Sequence, residues 1–153
     1  MIQKNDIPKK AIKYSQAESK ISFSENGRTY IADNISKKSI LGFHVDGGLI
    51  VSSETKKCDY AFILENDICY LIELKGHGIS EACNQISETI EYFTKNFKMK
   101  KFVGRIVISH FNTHKVNDEN FRNLQRKLRT IKKNFNIAQN ELLIKENKLY
   151  ERI

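Results

Sequence analysis

The sequence predicts an α/β fold with a central mixed β-sheet flanked by helices, and three observations support it. Two apolar runs rich in aromatic and branched residues, 58–64 and 68–75, are joined by a short polar turn and predict adjacent antiparallel core strands. Segments beginning near Ser80 and at Asp118 carry apolar residues at steps of three or four, as amphipathic helices do. Residues 102–109, between these helices, predict another buried strand. Such an order of strands and helices is typical of layered α/β domains.

The N-terminal part of the chain predicts one short helix and two hairpins. Residues 9–20 show weak helical periodicity. Residues 21–31 predict a hairpin because Asn26-Gly27, a strong turn signal, separates two β-prone runs. A second hairpin is predicted over residues 42–51, around a glycine-rich turn at 46–48.

The two helices and the C-terminal segment have distinct boundary signals. We expect Ser80 to be the N-cap of the first helix and the lysine-rich segment 95–101 to end it. The core-facing residues of this helix are Cys83, Ile86, Ile90, Phe93 and Phe97. Asp118 is the expected N-cap of the second helix, whose inward residues are Phe121, Leu124, Leu128 and Ile131. Residues 141–144 and 149–150 predict a last hairpin.

Length and composition are those of one globular domain over residues 1–153. Hydrophobic residues make up 40% and charged residues 29%, which argues against a disordered or fibrous chain. Apolar runs are shorter than the roughly 18 residues that span a bilayer, and the N-terminus has no apolar signal-peptide core. Cys58, Cys69 and Cys83 are odd in number and form no CxxC pair, as expected for a reducing compartment. We therefore expect a cytoplasmic protein without membrane contact.

The chain is basic, with 26 Lys and Arg residues against 18 Asp and Glu residues and a net charge of +8. This charge fits a nucleic-acid partner, and it equally fits a lysine-rich composition that only maintains solubility. On the second helix Arg122, Arg126, Arg129 and Lys133 recur at helical spacing, outward from the apolar stripe. Such a ribbon suits contact with nucleic-acid phosphates, and the alternative is a solvated helix face.

The most informative feature is charge placed at the ends of the two core strands. Asp59 begins the first strand, and Glu73 and Lys75 end the second. Glu73 and Lys75 are two residues apart and therefore share one face of their strand. A three-residue loop at 65–67 places Asp59 directly opposite Glu73 on that face, whereas a loop of two or four residues would turn Asp59 away.

Two opposed carboxylates on a half-buried sheet are destabilising unless a cation lies between them. Oxygen ligands are those that Mg²⁺ accepts, with Mn²⁺ as a substitute, and a neighbouring lysine can hold a water or a phosphate oxygen. This set therefore suits phosphodiester hydrolysis. The alternative is that Glu73 and Lys75 form an exposed strand-end ion pair worth about 0–1 kcal/mol, with Asp59 in a turn.

At these residues the sequence resembles the PD-(D/E)XK nuclease superfamily, the fold of type II restriction endonucleases. Asp59 is followed, after thirteen intervening residues, by Glu73 and Lys75, and the resemblance covers residues 57–93. It implies a restriction endonuclease-like core in which Asp59 and Glu73 hold a metal ion and Lys75 serves the attacking water. It also implies the carbonyl of Leu74 as a possible additional ligand.

The helix after the second strand extends this resemblance. Exonuclease-type members carry a glutamine there, followed by a tyrosine, and Gln85 and Tyr92 resemble this pair. The spacing is seven residues rather than the usual four, so only Gln85 is given a site role. Cys58 stands where the family name has proline, a common departure.

Several other polar residues are candidate members of the site. Many members of the superfamily add an acidic residue from an N-terminal helix, for which Glu18 and then Asp46 are the candidates. His77 follows Lys75 closely, and we leave open whether it contacts phosphate or belongs to a loop. His110 and His114 are interpreted as surface or loop residues, because no third metal ligand is close in sequence.

These features lead to two hypotheses. The first is a Mg²⁺-dependent nuclease that acts on nucleic acid, with DNA preferred over RNA as the substrate. The second is a catalytically inactive module of the same fold that binds nucleic acid or a protein partner. The length leaves little room for a target-recognition domain, so we expect specificity to come from a homodimer or from another subunit of a larger complex.

Overall fold

Two β-sheets and two helices form three layers in the computed structural model, which describes residues 1–110 and 118–153. The strands are β1 Ile12–Tyr14, β2 Lys20–Glu25, β3 Arg28–Asp33, β4 Ile40–His44, β5 Tyr60–Leu64, β6 Ile68–Lys75, β7 Lys101–Ile108, β8 Leu142–Glu146 and β9 Lys148–Arg152. The helices are α1 Ile79–Phe97 and α2 Glu119–Phe135. No helix in the described part of the chain is long and apolar enough to cross a membrane.

The larger sheet is mixed and has the strand order β1-β4-β5-β6-β7-β8. Its strands are antiparallel from β1 to β6 and parallel from β6 to β8. The smaller sheet has the order β2-β3-β9, with β2 antiparallel and β9 parallel to β3. The predicted α/β architecture with a mixed sheet is therefore observed.

Alternation along β6 shows how the layers are filled. Cys69 and Leu71 belong to the core beneath the helices, whereas Tyr70 and Ile72 pack in the core beneath the smaller sheet. A strand buried on both faces reads as a nearly continuous apolar run, as the sequence suggested. The helices cover only one face of the larger sheet, and the three-stranded sheet on the other face was not predicted.

Several predicted elements are confirmed. The hairpin over residues 21–31 forms as β2 and β3, with left-handed backbone at Asn26 and Gly27. Helix α2 begins after Asp118, whose Oδ1 accepts a hydrogen bond from the Phe121 N–H at 2.7 Å. The predicted inward stripes of α1 and α2 lie in or against the core beneath the helices.

The predicted N-terminal elements are wrong at two places. Residues 9–20 form a short 3₁₀ turn, strand β1 and a loop instead of a helix, because pairing with β4 prevails over weak helical periodicity. Residues 42–51 do not form a hairpin. Strand β4 is already paired on both edges, with β1 and β5, so the chain after it makes only the isolated bridge between Asp46 and Ile50.

The C-terminal hairpin is also wrong, although both of its strands exist. Strand β8 pairs with β7 in the larger sheet, and β9 pairs with β3 in the smaller one. Only Asn147 separates them, at a φ of 62°, so the chain turns from one sheet into the other. The N-cap of α1 is Gly78 rather than Ser80, and the Ser80 hydroxyl instead accepts a hydrogen bond from Asn120 Nδ2 at 3.0 Å.

Candidate active site

The β5–β6 hairpin brings Asp59 and Glu73 together. Its register runs from the Leu64–Ile68 pair to the Tyr60–Ile72 pair, so one further step places Asp59 opposite Glu73. The Asp59 N–H donates to Glu73 Oε1 at 3.1 Å, and the Leu74 N–H donates to Asp59 Oδ2 at 2.8 Å. The convergence expected from the three-residue loop is therefore present.

Glu73 is buried and Asp59 is partly buried, and neither carboxyl group forms an ion pair with a described residue. Glu73 is 2% exposed. Burial and then the charge of Asp59 raise the pKa of Glu73 to about 9, and burial also raises the pKa of Asp59. Within the described ranges, no Lys, Arg or His nitrogen lies within 4.0 Å of either carboxyl group. The two groups therefore need either a shared proton or a bound cation.

Lys75 lies beside this pair but is held by another residue. Its Nζ is 3.1 Å from Oε2 of Glu81, in the first turn of α1. The positive charge of Lys75 lowers the pKa of both Asp59 and Glu73, although less than burial raises them. Glu81 was not predicted as a partner of Lys75. Its position six residues after Lys75, across the strand–helix turn, is the signal that could have shown it.

Helix α1 holds the segment that precedes Asp59. Gln85 Nε2 donates to the Lys57 carbonyl at 3.3 Å, and its Oε1 is buried with no hydrogen-bond partner among the described residues. The Thr89 hydroxyl accepts from the Cys58 N–H at 2.9 Å and donates to the Gln85 carbonyl at 2.7 Å. Thr89 is fully buried and was missed, although a polar residue within the apolar stripe of α1 was a usable signal.

Further acidic residues approach Asp59 from outside the hairpin. Asp46 follows β4, and its charge contributes to the raised pKa of Asp59. Glu25 ends β2 and accepts a hydrogen bond from the Tyr60 hydroxyl at 3.5 Å. The pKa of Glu25 is raised by burial and then by the charge of Asp59. Glu25 was not predicted, because only the packing of the smaller sheet brings it here.

Glu18 and Tyr92 lie away from the carboxyl pair. Glu18 precedes β2, at the end of that strand opposite to Glu25, and its carbonyl accepts from Asn34 Nδ2 at 2.8 Å. Tyr92 packs against Phe93 and Phe97 near the C-terminal end of α1. Tyr92 therefore packs against aromatic side chains of its own helix.

Two histidines line a separate cavity. His77 and His110 are exposed and line a cavity of about 500 Å³ together with residues at the beginning of α1 and with Asp118. His114 lies outside the described residues.

The basic ribbon on α2 is exposed along its whole length. Arg122, Arg126, Arg129 and Lys133 are all exposed, as the periodicity predicted. The ribbon begins at the end of the molecule that carries Lys75, because Asn120 Nδ2 donates to Ser80 at the beginning of α1. Arg129 is partly engaged, with its Nε 3.3 Å from Glu141 Oε1.

The site at Asp59 and Glu73 offers few side chains that could bind a metal ion. Across residues 1–110 and 118–153, no group of three or more His, Cys, Asp and Glu side chains is arranged to hold a metal ion. The pair itself supplies two carboxyl groups. The N–H and the carbonyl of a strand residue point toward the same neighbouring strand. Because the Leu74 N–H donates to Asp59, the Leu74 carbonyl also lies on the edge of β6 that faces Asp59.

Comparison of the chain with protein-family models, with curated proteins and with solved structures finds no match.

Proposed function

We propose that the chain is a Mg²⁺-dependent nuclease that hydrolyses phosphodiester bonds in DNA. The observation that carries this proposal is the meeting of the buried Glu73 with the partly buried Asp59, from neighbouring central strands, with no cationic side chain within 4.0 Å of either carboxyl group among the described residues. Burial raises the pKa of both carboxyl groups, and the charge of Asp59 further raises that of Glu73. Such a pair is typical of a site that exchanges protons for a metal ion or that performs acid–base chemistry.

The residues present fit a magnesium ion. Asp59 and Glu73 would hold it through carboxylate oxygens, and the Leu74 carbonyl would be a third oxygen ligand. Mg²⁺ is usually bound by one or two carboxylates together with substrate phosphates, so a small protein ligand set is expected. When bound, the ion supplies positive charge where negative charge develops on the phosphate, and Mn²⁺ would substitute for it.

Lys75 and Gln85 are the remaining working groups of the proposed site. The Lys75 amine, released from Glu81, orients the attacking water and offers a hydrogen bond to a phosphate oxygen. Gln85 positions the Lys57 carbonyl, two residues before Asp59, and its unpartnered Oε1 is available to a water. These groups share one side of the sheet with the carboxyl pair.

The α2 ribbon supports nucleic acid as the substrate. Arg122 to Lys133 spans about 17 Å along the helix at 1.5 Å per residue, and the ribbon starts at the same end of the molecule as Lys75. A row of exposed cations of this length neutralises successive phosphates without regard to sequence. The net charge of +8 acts in the same direction.

The arrangement of strands supports the resemblance to the PD-(D/E)XK nuclease superfamily. An antiparallel hairpin carries the acidic residues, a helix follows the ExK strand, and the next strand returns parallel to it. Strands β5 and β6, the turn between them and most of α1 lie within residues 57–93, the segment in which the sequence resembles that family.

The direct test is cleavage by the purified full chain. Labelled single-stranded DNA, duplex DNA and RNA would be incubated with Mg²⁺, Mn²⁺ or a chelator, and products would be resolved by electrophoresis. We expect cleavage of DNA that requires the metal and that falls by at least about 100-fold in Glu73→Gln and in Lys75→Ala. Glu91→Gln, an exposed change on α1, is the matched control and should retain wild-type activity.

Two outcomes would contradict the proposal. Cleavage at the wild-type rate in both Glu73→Gln and Lys75→Ala would remove this site from the reaction. Binding of nucleic acid without turnover in either metal would instead identify a catalytically inactive module. Circular dichroism of each variant distinguishes loss of the site from loss of the fold.

A further inference from the structure

A second surface lies between the C-terminal ends of the two helices. A groove of about 610 Å³ is formed by the last turns of α1 and α2 and by the beginning of β7. Its apolar lining is Ile90, Met99, Phe102, Ile131 and Phe135. Phe135 is 38% exposed, so part of its ring is open to solvent in the groove. We call this surface the helix-end groove.

The helix-end groove continues into a smaller hollow beside it. This hollow, of about 320 Å³, shares Met99, Lys100 and Phe135 with the groove and adds Met1, which is 52% exposed. Two of the large exposed apolar side chains therefore meet at one place. Methionine side chains adapt their shape to a partner, and exposed apolar patches rimmed by polar groups mark interaction sites.

Lysines surround the helix-end groove. Lys95 and Lys100 line it directly, and Lys98 lies beside them in the adjoining hollow. Within the described part of the chain, none of these three amines has a carboxylate within 4.0 Å. The nearby acids are already paired, Glu91 with Lys127 at 3.4 Å and Asp67 with Lys101 at 2.9 Å. The rim therefore carries uncompensated positive charge.

The groove is separate from the carboxyl pair. It lies at the beginning of β7, next to Lys101, whereas Glu73 is in register with Ile106. Five residues of strand separate these levels by about 17 Å. A ligand in the groove would not contact the carboxyl pair, and the inference made here does not depend on the proposed nuclease activity.

We propose that the helix-end groove docks an acidic amphipathic helix of a protein partner. The apolar floor between two helices suits a third helix that presents apolar residues at positions i, i+3 or i+4, and i+7. The uncompensated lysines select Asp and Glu along the edges of that helix. A symmetric second copy would bring the same lysines against one another, and the apolar floor offers little to nucleic-acid phosphates.

The test uses a fluorescein-labelled, N-acetylated 18-residue peptide with Leu at i, i+3, i+4 and i+7 spacing and Glu elsewhere. Binding to the full chain would be followed by fluorescence polarisation. We expect saturable binding that weakens at least tenfold in Phe135→Glu and in Lys100→Glu. Ile35→Glu, at another exposed apolar residue, should bind as the wild type does. Phe135→Ala retests the position with a variant that adds no charge.

Two control peptides separate docking from attraction by net charge. A scrambled peptide of identical composition and a version with Lys in place of Glu should each bind at least tenfold more weakly. Equal binding of the scrambled peptide, no saturable binding of the first peptide, or equal weakening by Ile35→Glu would overturn the proposal. So would displacement of the peptide by single-stranded DNA, or self-association in sedimentation that Phe135→Glu abolishes.

Discussion

Two glutamates lie on opposite sides of the larger sheet, and they differ in whether a cation accompanies the carboxyl group. Glu151, on β9, accepts hydrogen bonds from Arg105 Nε at 2.6 Å, from Arg105 Nη2 at 3.0 Å and from the Tyr30 hydroxyl at 2.9 Å. Glu73, on β6, instead faces the carboxyl group of Asp59 and receives a backbone N–H. The partly buried Glu151 is paired with a cation, and the buried Glu73 is not.

The difference shows at which of the two sites the charges are balanced by the protein itself. The Arg105 ion pair joins β7 of the larger sheet to β9 of the smaller one, and the guanidinium also lies over the Tyr70 ring at 5.3 Å. Its donors and acceptors are satisfied within the protein. The pair of Asp59 and Glu73 instead holds a proton in place of a cation, because the pKa of Glu73 is raised to about 9, and a cation can replace that proton.

Replacing Arg105 with Met should produce the largest loss of stability. The change leaves the Glu151 carboxylate largely buried without its cation, which typically costs about 3–5 kcal/mol. For a chain of this size we expect Tm to fall by about 6–20 °C in thermal unfolding followed by circular dichroism. Arg126→Met, the same change at an exposed arginine, is the control. A loss below about 1 kcal/mol in Arg105→Met would show that the two sites are not energetically distinct.

The unpaired site should instead make stability depend on pH. The pKa of Glu73 is raised from 4.5 to about 9, so the folded protein holds a proton that the unfolded chain releases between these values. Stability is therefore full at low pH within this window and falls as pH rises toward 9. We expect Tm without divalent metal to drop by about 8–16 °C between pH 5.5 and 8.5.

Glu73→Gln is the comparison that isolates this contribution. The amide cannot lose a proton, so most of the pH-dependent loss should disappear and the variant should be more stable than the wild type at pH 8.5. An unchanged slope in Glu73→Gln would mean that Glu73 is already ionised or compensated at neutral pH. Arg105→Met should keep the slope of the wild type.

Thr89 tests how the acidic pair is held in place. Its hydroxyl receives the buried Cys58 N–H next to Asp59, so Thr89→Val leaves that donor unsatisfied, at a cost of about 2 kcal/mol. Thr89→Ser keeps the hydroxyl and should recover most of the loss in Tm. If the valine variant equals the serine variant in urea unfolding, the hydrogen bond does not contribute to holding this segment.

Local pattern was enough to predict the pairing of Asp59 with Glu73. A hairpin with a short loop has one register, and the period of two along a strand then decides which face each side chain occupies. The same reasoning placed Lys75 on the shared face and the cations of α2 on its outer surface. These predictions depend on residues that are close in sequence or on a single element.

Contacts between distant elements could not be predicted in the same way. Arg105 interrupts the apolar run of β7, which signals a buried charge, but its partner Glu151 is 46 residues away in a strand that leaves the larger sheet. Glu25 reaches the neighbourhood of Asp59 only because the smaller sheet packs on the larger one. Pairing of β4 on both edges and the separation of β8 from β9 also follow from tertiary packing.

Magnesium should give the Asp59–Glu73 pair the positive charge that Glu151 already receives from Arg105. Its effect on Tm should be the smallest of those expected. An ion that binds only the folded chain adds about 1.4 kcal/mol at tenfold its dissociation constant, which raises Tm by about 3–6 °C. At pH 8.5 we expect this increase in the wild type and in Arg105→Met, which retains the carboxyl pair, but not in Glu73→Gln. Calorimetric titration at pH 6 and pH 8.5 provides a second measurement. Because the ion displaces the proton held by Glu73, its affinity should be higher at the higher pH, and equal affinities would contradict a site at this pair.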